Sequence, residues 1–349
     1  MTAFGFAVVA GAAAAAAAFP PTNASWSRAL HNPVLTPSEP WEGKADAHPC
    51  VVEPQVIYMP SERRWRMYYR GGWSVGGIGL AVSSDGFSWT KRRDPVFGAN
   101  NGSGFAESAM QPWVVAPSEA NDAWMLFTST WASHTSQTNI ATSADGVDWT
   151  LQPSAHVPLP KSGTLFGNRA VWREPVGGWR MLQEVGIPSP WAIYLYTSDD
   201  GLRWTLANAG EPLKGLQRHP GGMYGGPSIA NVNGRVQPKG PDGRYHIWFH
   251  AASAAGNLPT DVYHASTVSL EGPYNVTPSG PVLKHKGSGF EYDQVADPSP
   301  VVGSDGGEAR LYYDGDNNVV GQCSIGMATA RAVPREARGP RHERMTDER

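Results

Sequence analysis

Two carboxylates stand at matching places in this chain. Glu53 opens "EPQVIYM" and Asp297 opens "DPSPVVG". Each precedes a proline and lies 14 residues before an aliphatic residue of the next strand-like run, Met67 and Leu311. Gln111 of "QPWVVAP" keeps the same distance to Met125, Asn168 of "NRAVWRE" lies 13 residues before Met181, and Gly226 opens a fifth such run. Acids at equivalent places of repeated units can converge. Two that do so repel when both are ionised, so one keeps its proton toward neutral pH, the condition for an acid and a base to act together. Close in sequence lie Asp46, His48, Glu107, Trp113, Arg169, Tyr224 and Asp293. Such acids, an arginine and aromatic faces suit a polyhydroxylated ligand. Each has a structural alternative: Glu53 and Asp297 can pair with Arg169 or accept backbone N–H groups, Trp113 and His48 can be packing, and Asp46 and Glu107 can be loop acids. His250 and His264 read as core or rim residues, and neither a metal cluster nor a cofactor motif is present.

The elements that must position these residues repeat. "SSDGFSW", "SADGVDW" and "SDDGLRW" place Asp-Gly at 85, 145 and 200, each with a Trp four residues past the Asp, and "SLEGPY" is a weaker fourth copy. Asp-Gly supplies the positive φ of a hairpin turn, so these aspartates are turn-formers. Before the turns come "WRMYYRG", "WMLFTS", "WRMLQEVG", "YHIWFHA" and "ARLYYDG", which read as aromatic-rich central strands. With 40 Gly and 30 Pro in 349 residues, the chain is punctuated too often for long helices.

Closing strands carry "DPVF", "HVPL", "EPL" and "GPVL", and the fifth unit lacks one. "HNPVL" at 31–35 is the displaced copy, and an N-terminal strand that completes the last unit removes an open edge. The reading is all-β: a five-bladed β-propeller of four-stranded blades, its last blade closed by residues 31–36 on the strand at 323–329. In that ring the first strands line a central channel, so Glu53, Gln111, Asn168, Gly226 and Asp297 meet at its mouth.

Through "WRMYY", "IGLAVSSDG", "VADPSPVV", "RLYYDG" and "IGMATA", residues 31–331 resemble the five-bladed propeller glycosidases, the β-fructosidases, α-L-arabinofuranosidases and β-xylosidases. The resemblance implies three acids at the channel mouth: an Asp before Pro in the first blade, an Asp in the second and a Glu in the third, acting as nucleophile or base, electrostatic helper and general acid. Those places fall on Glu53, Gln111 and Asn168, of which one is an acid. A rotated set of Asp297, Glu53 and Glu107 restores three.

The expectation is a glycoside hydrolase-like enzyme acting on a small oligosaccharide or glycoside. The alternatives are a carbohydrate-binding pseudo-enzyme or a glycoside phosphorylase, with Arg169, Arg218 and His219 holding phosphate. A sialidase is disfavoured, because its Asp-box keeps one residue between Asp and Gly. A net charge of -3 gives no reason to expect nucleic acid. Residues 1–19, uncharged and Ala-rich, read as a secretory signal with cleavage near Phe19 or Pro20, residues 20–331 as one domain and 332–349 as a disordered basic tail. This places the protein outside the cytoplasm, with a carbohydrate as its partner, no cofactor and no stable membrane insertion after cleavage. Cys50 and Cys323 allow at most one internal disulfide and read as two buried thiols.

Overall fold

The computed structural model describes residues 18–333 apart from 24, 44–47, 73–75, 99–107, 119–121, 133–134, 162, 187–190 and 304–306. Residues 1–17, the tail from 334, Asp46 and Glu107 lie outside the described residues.

The chain is all-β. Among the described residues the only helical turns are Pro40–Glu42 and Asn208–Gly210, both three-residue 3-10 turns. One antiparallel sheet runs Val51–Met59, Arg64–Gly71, Gly77–Ser83, Thr90–Lys91. A second runs Met110–Val115, Trp124–Ala132, Thr135–Ser143, Thr150–Leu151, and a third Leu165–Arg173, Trp179–Gly186, Ala192–Ser198, Thr205–Leu206. The remaining sheet contains two more four-strand meanders. These are Tyr224–Ser228, Tyr245–Ala252, Thr260–Thr267, Asn275–Val276, and Gln294–Val302, Glu308–Asn317, Gln322–Arg331, Ser27–Arg28. Short parallel bridges, Thr260 to Gln294 and Asn231–Val232 to Val301–Val302, merge the two. The first strands of successive meanders touch in cyclic order, the last returning to the first.

The repeated turn is a joint between neighbours. In each copy Asp Oδ1 accepts two backbone N–H groups, from Phe87 and Ser88, Val147 and Asp148, or Leu202 and Arg203. The following glycines have φ of 75° to 76°, a region closed to most side chains. A tyrosine of the preceding meander then donates to each of the first two glycine carbonyls: Tyr312 to Gly86 and Tyr68 to Gly146, both at 2.8 Å. The Trp of each phrase meets an aromatic of that preceding meander edge-on: Trp89 on Tyr312, Trp149 on Tyr68, Trp204 on Phe127. One phrase is used three times because one joint is made three times.

The N-terminal segment closes the last meander on the strand Gln322–Arg331. Regular pairing lies at Ser27–Arg28 against Thr329 and Ala328, and Leu35 bridges Ile325. Between them Pro33 has no N–H to give, and the Asn32 side chain takes its place. Its Nδ2 donates to Met327 O and its Oδ1 accepts from Met327 N, each at 2.9 Å. Further upstream Phe19 is 2 % exposed, pairs with Val333 and meets the Trp248 ring.

The cysteines correct the reading as thiols: Cys50 and Cys323 are buried, as expected, but joined as a disulfide. They lie 273 residues apart in sequence and 4.5 Å apart at Cα, so a covalent link spans the seam between first and last meanders. Among the described residues no helix is long and apolar enough to cross a membrane.

Candidate active site

Every meander's first strand breaks its register once near its start, between Val52 and Gln55, Met110 and Trp113, Phe166 and Arg169, Gly225 and Ser228, and Ala296 and Ser299. At four of these bulges the residue before proline has positive φ: Glu53 56°, Gln111 57°, Gly226 54° and Asp297 46°. For three non-glycine residues this costs about 1–3 kcal/mol each, a strain that concentrates at functional sites. The bulge turns each side chain out of the strand's alternation and toward the channel.

The second strands add a ring in the same register. Arg70, Ser129, His250 and Asp314 pair with the residue before the bulge; in the third meander Val185 has that pairing and Glu184, one residue earlier, lies opposite the bulge itself. The two rings line a cavity of about 490 Å³ that includes Glu53, Gln111, Asn168 and Asp297 from the first and Arg70, Glu184, His250 and Asp314 from the second, with Trp191 and Asp316 beside them. Five carboxyl groups thus share it with one arginine and one histidine.

Their contacts differ. Glu53 is held from two sides, by Arg70 Nη1 at 3.2 Å from Oε1 and by the Gln111 N–H, which donates to Oε2 at 2.5 Å. Glu184 Oε2 accepts the N–H groups of Asn168 and Gly226 at 3.0 and 3.1 Å, and Oε1 lies 3.8 Å from His250 Nε2. Burial pushes Glu184 above the usual carboxylate range, and the nearby His250 works against that shift. Burial, reinforced by the Glu53 charge, pushes Asp297 up to about 8. Burial and the neighbouring Asp297 hold Asp314 well above the usual range. Burial lowers His250. Glycine at three points makes this packing possible: a Cβ on Gly167 or Gly225 would strike the Glu184 carboxylate, and one on Gly226 would strike His250 and Asp297.

Of the residues picked out from sequence, Glu53, Asp297, Gln111 and Asn168 line this cavity. Gln111, oriented to satisfy its neighbours, donates to Ser129 Oγ, Phe166 O and Gly167 O, a stitch between adjacent meanders. Arg169 is buried, donates to Gln183 Oε1, Ser129 Oγ and Gly167 O, and burial drives it down to about 9 against the pull of Glu53 and Glu184. Trp113 donates to Val171 O from the core and borders a narrow void of about 20 Å³ lined also by Glu53 and Asp297. Tyr224 is a core residue donating to Leu213 O. Asp293 accepts from Asn318 N at 2.8 Å, and His48 stands by Asp316 and Cys323. Neither Asp293 nor His48 lines the cavity. Arg218 lies over the Tyr263 ring and His219 against Pro220 O, so the three cations expected to hold phosphate are not gathered. Sequence reasoning missed Arg70, Glu184 and Asp314 and read His250 only as a core or rim residue. Each is the sixth residue of its aromatic-rich phrase, "WRMYYR", "WRMLQE", "YHIWFH" and "ARLYYD", a fixed polar place in an apolar strand.

Two groups among the described residues bring three potential metal-ligating side chains within 4.8 Å: Glu184, His250 and Asp297, and His48, Asp316 and Cys323. The disulfide removes the second from consideration, and the first coincides with the acid cavity.

No family model and no curated protein matches the chain. Solved structures do. A complex of BT0996 with RGII aligns with TM-score 0.65 at 13 % identity over 92 % of this chain and 94 % of that one. The chain has the fold of the β-propeller glycoside hydrolases. A thermostable family-43 glycoside hydrolase aligns with TM-score 0.60 at 15 % identity, over 79 % of this chain and 88 % of the other. A member of the GH130 family, described as mannoside phosphorylases containing glycoside hydrolases that target β-1,2 mannosidic linkages in Candida mannan, gives 0.59 at 17 %, over 92 % and 98 %. At such identities the likeness is one of fold.

Proposed function

We propose that the chain is a five-bladed propeller glycoside hydrolase that cleaves a small oligosaccharide or glycoside at the acid-lined cavity. Five meanders whose first strands touch in cyclic order support the blade count. The observation that carries the chemistry is the contrast between two acids in one place. Glu53 sits against the Arg70 guanidinium and the Gln111 N–H, while burial and the Glu53 charge push Asp297 up to about 8. In this reading Asp297 gives its proton to the glycosidic oxygen as the bond to the anomeric carbon breaks. Glu53 acts opposite, on that carbon or on the attacking water. Glu184, the third-meander glutamate, arrives from the second strand, with Oε1 3.8 Å from His250 Nε2.

Hydrolysis is favoured over phosphorolysis because Arg169 is committed to buried partners and Arg218 and His219 do not line the cavity. The non-catalytic reading draws on Gln111 and Asn168, which cannot titrate. Turnover of aryl furanosides and pyranosides, with and without phosphate, tests all three: phosphate-independent turnover supports the proposal, phosphate dependence replaces it with phosphorolysis, and saccharide binding without turnover removes catalysis. The buried disulfide suits an oxidising, extracytoplasmic setting. Because Ala18 and Phe19 are core residues, a leader would be cut at or before Ala18, which N-terminal mass spectrometry of exported protein can check.

A further inference from the structure

A second concavity lies at the far ends of the first strands. Gln111 and Asn168 face the acid cavity, whereas Ala116 and Arg173, five residues further along the same two runs, border the other one. At about 3.3 Å per residue Ala116 and Arg173 lie about 17 Å along the strands from Gln111 and Asn168. A hollow of about 430 Å³ continues into one of about 720 Å³, the two sharing Arg173, Glu174 and Arg235. The larger adds Arg180, Lys239 and Tyr245.

The charge there is one-sided. Four cations, Arg173, Arg180, Arg235 and Lys239, face one acid, and Glu174 Oε1 is already engaged by the Trp172 indole N–H at 2.9 Å. None of the four is ion-paired with an acid among the described residues. Arg180 is tied to the carbonyls of Gly177 and Trp179, and Lys239 lies 4.5 Å from the Tyr245 ring centre. Arg173 and Arg235 are exposed. Since the whole chain carries a formal net charge of -3, the excess is local. Between the cations the walls are the flat apolar faces of Pro175, Pro238 and Tyr245.

We propose that this groove binds an acidic oligosaccharide. The guanidinium groups of Arg173 and Arg235 take its carboxylates in forked pairs, and a sugar ring lies on the proline faces. The cations sit in a concavity with flat walls between them, not along an open stripe, which favours a uronate-containing chain over nucleic acid. The groove is separate from the acid cavity, so the inference does not depend on hydrolysis.

Calorimetric titration of the Glu53→Gln protein with trigalacturonate and with neutral galactotriose, at low and high salt, tests it. The acidic trimer is expected to bind, to weaken with salt, and to weaken at least tenfold when Arg173→Gln and Arg235→Gln are added, with the neutral trimer indifferent to that pair. In otherwise unsubstituted protein the same pair should leave the thermal midpoint and turnover of neutral aryl glycosides unchanged. Equal binding of both trimers, no binding of the acidic one, affinity untouched by the arginine pair, or stronger binding of inorganic polyphosphate or DNA would overturn the proposal.

Discussion

Asp297 Oδ1 lies 3.2 Å from His250 Nδ1, and the backbone N–H of Asp297 donates to that same nitrogen, also at 3.2 Å. A ring nitrogen that accepts an N–H has no proton to offer, so the carboxyl oxygen beside it is best accommodated when Asp297 itself is protonated. Burial acts in the same direction on both groups, disfavouring charge on His250 and on Asp297.

The pH dependence follows. An unfolded aspartate titrates near 3.9, and the native Asp297 near 8, so between these values the folded chain binds the extra proton. Its contribution to stability is therefore full below about pH 4 and declines as pH rises through about 8. Burial sets this shift, the Glu53 charge adds to it, and Asp314, Asn168 and Arg70 work against it. Denaturant titrations from pH 5 to 9 should show the decline, and Asp297→Asn should flatten it. Turnover should fall on the alkaline side of the same value.

The disulfide closes a loop of most of the chain. Reducing it, or substituting Cys50→Ala with Cys323→Ala, should lower unfolding stability by about 2–5 kcal/mol. Denaturant midpoints of oxidised and reduced protein measure this, and coincident midpoints would mean that the seam is held by packing alone.

Asn32→Ala removes both side-chain bonds to the Met327 backbone and should cost about 1–3 kcal/mol, because Met327 N loses its partner inside the sheet, whereas Met327 O keeps the Ala29 N–H. Deleting residues 20–36 also strips Trp26 and Leu35 from the core and should destroy cooperative unfolding. Thermal unfolding distinguishes the two effects, and an unchanged midpoint in the deletion would contradict closure by this segment.

Gly226→Ala would place a methyl group against His250 and Asp297 at a backbone angle of 54°. Activity should drop sharply with partial loss of stability, while Gly243→Ala, at φ 78° with open space around it, carries the backbone strain alone. Comparing turnover and melting of the two variants separates crowding of the acids from strain.

The sequence showed the first ring because proline follows four of its members and the spacing to the next strand recurs. It hid the second ring: Arg70, Glu184, His250 and Asp314 each sit in a run dominated by aromatic and aliphatic residues. Which end of such a strand meets the channel is decided by pairing, not by composition. Trp113 and Tyr224 were drawn toward the site by proximity in sequence, and strand alternation sends them to the core instead. A disulfide between residues 273 apart leaves no local trace, because only ring closure brings its ends together.

The account turns on Glu53 and Asp297 as the reacting pair, and kcat for Glu53→Gln and Asp297→Asn on the best aryl glycoside tests it most directly. Each variant should keep the wild-type circular dichroism spectrum and lose about 100- to 10,000-fold in kcat, with Asp297→Asn abolishing the alkaline limb of the pH profile. Folded variants that both retain full turnover would contradict it and move the chemistry to other acids of the cavity.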